Sequence, residues 1–600
     1  MKLKITLIAF FSYALLFSQS FLEVQLPTPD KLSPLFIGPL VKSTIHYGVT
    51  PSNYNGKVIV FNHGYIDLNQ GQFLFDNSFY QDTYNQGYQA VFVATTRGKG
   101  IWINGQLLAE SIDIITEKFN VPKVYLVGHS NGGKASEAAM FQYGKRDKVE
   151  RAFALGTPFW GTYLADISQM PWLNWAWRLT GLNEGARTST TYYCRDVVRP
   201  ILDNHPDNEP GKFVILGASG FYKGSTIAAP AFLLTGGILF AAQGVNDGVA
   251  PYSSTLRPGA EYVFTKNDSR AIFDHLDVGL GQFSWSYIKS YIENPTLRSN
   301  VSFKKSSNSS KIESNYYIIH SDNEYEQILL DQNSSYAIAE IIHEKPDAQF
   351  EIFDQANKKV NGQKSHREKE YQTVIPITNT KLKLKSDSRF AAFIKQNNGI
   401  KMSLEHIQKG KSQVLKVDIS SNDNTKILDT KTEVRGVIMR TATLDGKKLE
   451  ESPGIVTFDY KNDSYYFDTS SLEEGVYSLF LNSESKNNFK RSLISGFVVG
   501  DIQKDLNGIE INDQRRNLKK SMTITPNAVK NEAKISFTGY QLPKDLTINI
   551  YDITGKQIQN FNVKTNQKSQ FDISNHIKTL DKGIYLIRAN KFETLRFIKK

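Results

Sequence analysis

Gly128-His129-Ser130-Asn131-Gly132-Gly133 follows the apolar run Val124-Tyr125-Leu126-Val127 and precedes the helix-forming stretch Lys134-Ala135-Ser136-Glu137-Ala138-Ala139-Met140. A strand that ends in Gly-x-Ser-x-Gly and opens into a helix turns too sharply for side chains at the flanking positions. Gly128 and Gly132 therefore stand on either side of the serine. Such a nucleophile elbow lifts the Ser130 hydroxyl above the end of a parallel sheet. It also aims the N–H of the next residue, Asn131, at a developing oxyanion.

The elbow predicts an α/β-hydrolase domain, a mostly parallel sheet with helices on both faces, in which an acid and then a histidine follow the serine. Asp247 is the candidate acid, in the turn Gly244-Val245-Asn246-Asp247-Gly248-Val249-Ala250-Pro251. His275 is the candidate base, in Phe273-Asp274-His275-Leu276-Asp277. An imidazole titrates near neutrality and can take the serine proton, while a buried carboxylate fixes its tautomer. Asp274, beside His275, is the rival carboxylate. Upstream, Lys57-Val58-Ile59-Val60-Phe61 reads as a strand and Asn62-His63-Gly64-Tyr65 as its exit. Gly64 allows close approach of the backbone, so the N–H of Tyr65 is expected to join that of Asn131 in the oxyanion hole.

Several stretches together carry a family resemblance. Asn104-Gly105-Gln106-Leu107-Leu108-Ala109, the elbow, and Gly156-Thr157-Pro158-Phe159-Trp160-Gly161-Thr162 resemble the secreted bacterial true lipases. Asn246-Asp247-Gly248 and His275-Leu276-Asp277 are similar to that family's acid and histidine motifs. The resemblance spans about residues 55–295 and implies hydrolysis of carboxylic esters with acyl chains. Two departures stand out. Asn131 occupies a position where those lipases usually carry Gln or Met. The family also uses the Asp of His-Leu-Asp, here Asp277, as a calcium ligand, but Lys223–Gly244, where its carboxylate partner would fall, contains no Asp or Glu. A calcium ion wants six to eight oxygens. Calcium is therefore possible but not assigned, no other metal or cofactor is expected, and Asp277 is expected to cap the following helix.

Six hundred residues exceed one hydrophobic core. Lys2 and Lys4, the apolar run Ile5–Phe17 and Ser18-Gln19-Ser20 read as a signal peptide over 1–20. The apolar stretch Thr226–Gln243 contains Pro230 and Gly236-Gly237 and reads as the wall of an acyl site, not as a transmembrane anchor. Trp172, Trp175 and Trp177, in Met170–Trp177, read either as core or as a lid over that site. The single cysteine, Cys194, excludes an internal disulfide, and a buried thiol is expected. The net charge of +11 arises from 71 basic residues mixed with 60 acidic ones, which describes a solvated surface and gives no nucleic-acid motif.

Residues 21–297 are expected to form the catalytic domain and 298–314 a Ser-, Asn- and Lys-rich linker. Short alternating segments beyond it predict all-β, immunoglobulin-like sandwich modules over 315–405 and 406–500, a polar linker over 501–521 and a terminal module over 522–600. Phe467-Asp468-Thr469-Ser470 and Gly475-Val476-Tyr477 recur as Phe571-Asp572-Ile573-Ser574 and Gly583-Ile584-Tyr585. With Ile550-Tyr551-Asp552, Gly555-Lys556 and the basic end Phe597-Ile598-Lys599-Lys600, the terminal module resembles the C-terminal sorting domain of the type IX secretion system of Bacteroidetes. That resemblance implies a secreted or surface-attached protein with the secretion machinery as a partner. The expected activity is that of a secreted lipase or carboxylesterase acting on a lipid ester. The alternatives are a polyester depolymerase with the same triad and a surface adhesin carrying an inactive hydrolase fold.

Overall fold

The computed structural model describes residues 21–600 apart from 32–43, 65–76, 96–99, 171–172, 174–183, 227–228, 298–310, 322–324, 330, 332–336, 346–349, 355, 360–371, 378–380, 397–398, 422–431, 486–488, 502–520, 527, 539–544, 553–555, 566–569 and 590–593. The expected signal peptide lies outside the described residues.

Eight strands build the first sheet: β1 (Leu22–Gln25), β2 (Thr44–Tyr47), β3 (Val58–Asn62), β4 (Gln89–Ala94), β5 (Val124–His129), β6 (Val149–Leu155), β7 (Phe213–Leu216) and β8 (Glu261–Tyr262). Their order is β1-β2-β4-β3-β5-β6-β7-β8, and neighbours run parallel except at the β2/β4 junction. Parallel strands covered on both faces are apolar throughout, and successive side chains go to opposite faces. Val58 and Val60 of β3 accordingly enter one core, and Ile59 and Phe61 the other. Helices α2 (Gly100–Lys118) and α3 (Asn131–Met140) cover the first face through Trp102, Leu108, Ala135 and Ala138. Helices α1 (Phe79–Asn85) and α6 (Gly281–Glu293) cover the second through Phe79, Tyr80, Trp285 and Ile288. This is the expected α/β-hydrolase architecture. Strand order reverses around β3, which leaves a crevice beyond the carboxyl ends of β3 and β5, where Ser130 sits.

The elbow helix is anchored by charge. Glu137, on α3, is fully buried between Arg199 and Arg257, and Arg257 Nε donates to its Oε1 at 2.6 Å while Arg199 Nη2 donates to its Oε2. Both guanidinium groups also reach Asp203, at 3.0 and 2.9 Å.

Three β-sandwiches follow. Strands within 316–396 form sheets of four and three strands around Ile328, Ile341 and Leu384. Lys311–Ser314 and strands within 401–499 form sheets of five and four. The expected boundary at 405/406 thus falls inside the strand Lys401–Lys409, and the end of the expected linker is an edge strand of the second sandwich. The third sandwich has sheets of three and five strands within 521–599. The recurring segments of the second and third sandwiches occupy like positions. Tyr477 and Tyr585 each donate their hydroxyl to a carbonyl four residues back, Glu473 and Asp581, at 2.9 and 3.0 Å.

The first two sandwiches pack on the hydrolase. Tyr163, Leu164 and Ile167 of α4 (Tyr163–Ser168) and Ile238 and Leu239 of α5 (Ala229–Gln243) share one apolar cluster with Tyr316, Ile342, Phe393 and Ile494. Around it, the Tyr163 and Tyr316 hydroxyls bond each other, and Tyr192 Oη lies 2.9 Å from Ser478 Oγ. Arg195 donates to the Gly496 carbonyl at 3.0 Å, and Lys395 to the Phe240 carbonyl at 3.2 Å.

Replacing one member of a buried ion pair strands the other's charge, which costs about 3–5 kcal/mol. Glu137→Gln should therefore lower unfolding stability by that amount in chemical denaturation. A loss below about 1 kcal/mol would show that this network does not anchor α3.

Candidate active site

Ser130, directly after β5, has φ 54° and ψ −128°, a region that costs an ordinary residue about 1–3 kcal/mol. Its N–H donates to the Leu155 carbonyl at 2.8 Å, and its carbonyl accepts from the Gly133 N–H at 3.1 Å. A Cβ on Gly128 would stand 2.6 Å from the Gly133 nitrogen, and one on Gly132 2.5 Å from the Asn62 oxygen, so the turn closes only with glycine at both positions. The loop after β3 lies directly against the serine, since a Cβ on Gly64 would approach Ser130 Cβ to 2.5 Å.

His63 orients that loop. The Thr95 N–H donates to His63 Nε2 at 3.0 Å, so the ring proton sits on Nδ1, which donates to the Gly64 carbonyl at 2.7 Å. Tyr65, expected to supply the second oxyanion donor, lies outside the described residues.

The structure brings Asp247 and His275 together: Nδ1 of His275 donates to Asp247 Oδ2 at 2.8 Å. The other oxygen of Asp247 accepts the N–H groups of Val249 (2.9 Å) and Ala250 (2.6 Å), so this fully buried carboxylate has its partners in place. A backbone bond of 2.8 Å from the His275 N–H to the Asp247 carbonyl holds the two segments in register. The sequence reading gave no role to His129. Its Nε2 donates to the His275 carbonyl at 2.6 Å, and the two rings lie 4.8 Å apart, which ties His275 to the residue preceding the serine. Burial, with the neighbouring His275 ring second, pushes the His129 pKa well below the usual range and keeps this ring neutral. Its only sequence signal was its place inside the elbow motif, at a position the turn itself leaves unconstrained.

Asp274 takes a different place. Its Oδ1 accepts the N–H groups of Leu276 (3.0 Å) and Asp277 (2.9 Å), closing the turn after the histidine. Burial, helped by the charges of Asp277 and Asp247, raises its pKa to about 7. The expectation that Asp277 caps the next helix is corrected: its carboxylate turns back to Ser225, accepting from the backbone N–H at 2.9 Å and from Oγ at 2.5 Å. Among the described residues, no group of three or more His, Cys, Asp or Glu is placed to hold a metal ion.

The apolar stretch expected to wall an acyl site divides its faces. Phe232 of α5 stands edge-on to the His275 ring at 6.0 Å, whereas Ile238 and Leu239 face the sandwich. Met170 and Leu173, within the tryptophan-rich segment, are buried in the same cluster, and Trp172, Trp175 and Trp177 lie outside the described residues. Cys194 is buried as expected, but against an ammonium group and not in a purely apolar site: Lys134 Nζ lies 3.5 Å from its sulfur.

Comparison with known proteins agrees with this architecture. Residues 79–171 match an alpha/beta hydrolase family of unknown function, and residues 523–600 match the secretion system C-terminal sorting domain. The chain is thus an extracellular or cell-surface protein routed through the type IX machinery. No helix among the described residues is long and apolar enough to cross a membrane. The fold is similar to that of the lipase BlEst2 of Bacillus licheniformis in its propeptide form, with TM-score 0.56 and 19% identity over 76% of this chain and 97% of that one. The mature form of the same lipase gives TM-score 0.37 and 26% identity over 41% and 97%. A metagenomic carboxyl esterase gives 0.30 and 17% over 39% and 76%. No curated protein sequence matches the chain.

A carboxyl whose folded pKa lies above its ordinary value stabilises the fold less as pH rises between the two values. For Asp274 that window runs from about pH 4 to about pH 7. Asp274→Asn keeps the acceptor and removes the charge, so its melting temperature should exceed that of the native protein by a few degrees at pH 8. The gap should close toward pH 5, with ester turnover retained. A gap that widened toward low pH would contradict the raised pKa, and a collapse of turnover would make Asp274 the carboxylate that acts with His275.

Proposed function

We propose that this chain is an exported serine hydrolase of carboxylic esters, of the lipase and carboxylesterase kind, with Ser130 as nucleophile, His275 as base and Asp247 as its orienting acid. One observation carries the reading. A buried, fully hydrogen-bonded carboxylate grips the imidazole of His275 at 2.8 Å, and His129 couples that histidine to a serine held in the strained elbow conformation.

In the proposed cycle the Ser130 oxygen attacks the ester carbonyl carbon as Nε2 of His275 takes its proton. The negative charge moves to the carbonyl oxygen, where the N–H of Asn131 receives it. The N–H of Tyr65 is the proposed second donor, since His63 fixes the carbonyl on the other side of the same peptide unit. Collapse breaks the bond to the alcohol, which leaves with the proton from His275. Water then attacks the acyl-enzyme, giving up a proton to His275, and the carboxylic acid departs as that proton returns to Ser130 Oγ. Asp247 holds Nδ1 protonated throughout, keeping Nε2 free to act as the base. Phe232 beside His275, on a helix without a charged residue, supports an acyl-chain substrate, and we propose a lipid ester.

Ser130→Ala should cut hydrolysis of a soluble p-nitrophenyl ester by roughly 10³–10⁶-fold with unchanged circular dichroism. Asp247→Asn should lower kcat by about 10³–10⁴-fold because it presents the wrong tautomer of His275. Native turnover in the Ser130 variant would overturn the assignment.

A further inference from the structure

Asn131 departs from the Gln or Met usual in the resembled lipases, and its side chain has a partner that the proposed cycle does not use. Ser189 Oγ donates to Asn131 Oδ1 at 2.8 Å. Lys134, one turn along α3, in turn donates its Nζ to Ser189 Oγ at 3.1 Å and to the Thr188 carbonyl at 2.9 Å. The third ammonium proton faces Cys194 Sγ, so all three donors of Lys134 have a partner. Lys134 as a whole is 1% exposed. A buried ammonium without a contacting carboxylate is costly, and an apolar chain would fill the same space more cheaply. Ser189 is itself fixed from the far side, because the Thr162 N–H donates to its carbonyl at 2.9 Å.

The donors in this chain point one way. An ammonium can only donate, so the Ser189 oxygen accepts from Lys134 and must turn its own proton to Asn131. The side chain of the residue whose N–H is the proposed oxyanion donor is therefore held in one rotamer.

We propose that Lys134 and Ser189 are positioning residues for ester hydrolysis, acting through the Asn131 side chain to hold the oxyanion-binding peptide in place. The proposal rests on the function proposed above. Lys134 and Ser189 do not touch substrate; they restrict the Asn131 peptide to the orientation in which its N–H meets charge developing in the transition state. Such an effect belongs in kcat and not in ground-state binding.

The test is a double-mutant cycle with the full chain on p-nitrophenyl butyrate, each variant also followed by thermal unfolding. Ser189→Ala and Asn131→Ala should each lower kcat about tenfold with KM within twofold. The double variant should be no slower than Asn131→Ala alone, and Ser189→Thr, which keeps the hydroxyl, should recover most of the rate. Lys134→Met should reproduce the Ser189→Ala loss if it folds, and the serine variants decide the matter if it does not. Native kcat in Ser189→Ala, or rate losses that simply multiply in the double variant, would overturn the positioning role. Absence of ester turnover in the native protein would overturn the proposed function and this role with it, whereas turnover unaffected by Ser189→Ala would overturn the positioning role alone.

Discussion

Everything around the crevice depends on keeping one carboxylate satisfied out of water. Asp247 is fully buried, and an isolated carboxylate in such a place would cost several kcal/mol. Three donors compensate: two backbone N–H groups of its own turn and the Nδ1 proton of His275. That requirement fixes the neighbours. Gly156 passes so close that a Cβ would lie 3.0 Å from the Asp247 oxygen and 3.3 Å from His275 Nδ1. His129 braces the His275 carbonyl, and Phe232 closes the ring from the side. The histidine is thus held by a carboxylate, a second histidine and an aromatic edge. Each comes from a different segment, and the sheet brings all of them to one end.

The β-sandwiches are more than cargo on a linker. Helices α4 and α5, which follow the sheet strands toward the crevice, bury their apolar sides against the first two sandwiches, in one cluster with Tyr316, Phe393 and Ile494. A second cluster carries Leu444, Val476 and Val498 into the core that also holds Tyr192 and Tyr193. Hydroxyls lost to water on both sides are repaired across the boundary, as between Tyr192 and Ser478. The fold likeness to the lipase in its propeptide form spans 76% of this chain and so extends beyond the hydrolase. The hydrolase sheet and the first two sandwiches are thus packed neighbours, joined through the helices beside the crevice.

The elements legible in the sequence were those set by backbone geometry and periodicity. The apolar runs of β3 and β5 marked a parallel sheet, the glycines around Ser130 marked the elbow, and chain order selected Asp247 and His275, which the structure joins. What was not legible depends on contacts between distant segments. Nothing local to His129 shows that it reaches the carbonyl of a residue 146 positions away. Lys134 reads only as part of a helix-forming stretch, yet it is buried by the segment 184–194, which tertiary packing brings over α3. Asp277 looked like a helix cap because it precedes α6, and the nearby Ser225 takes its carboxylate instead. The expected linker hid the strand Lys311–Ser314 because its Lys and Ser composition resembles that of a loop, while pairing with Lys401–Lys409 decides the matter. The sorting domain, by contrast, was legible from its own motifs, since its sandwich closes on residues close in sequence.

The most direct measurement is a crystal structure of the protein trapped with an alkyl phosphonate ester, whose phosphoryl oxygen stands where the oxyanion would form. The account predicts phosphorus bonded to Ser130 Oγ, the phosphoryl oxygen accepting from the Asn131 N–H, and His275 Nε2 facing the oxygen of Ser130. Phosphorus on another residue, or a phosphoryl oxygen turned to solvent with His275 held away from the serine, would contradict it.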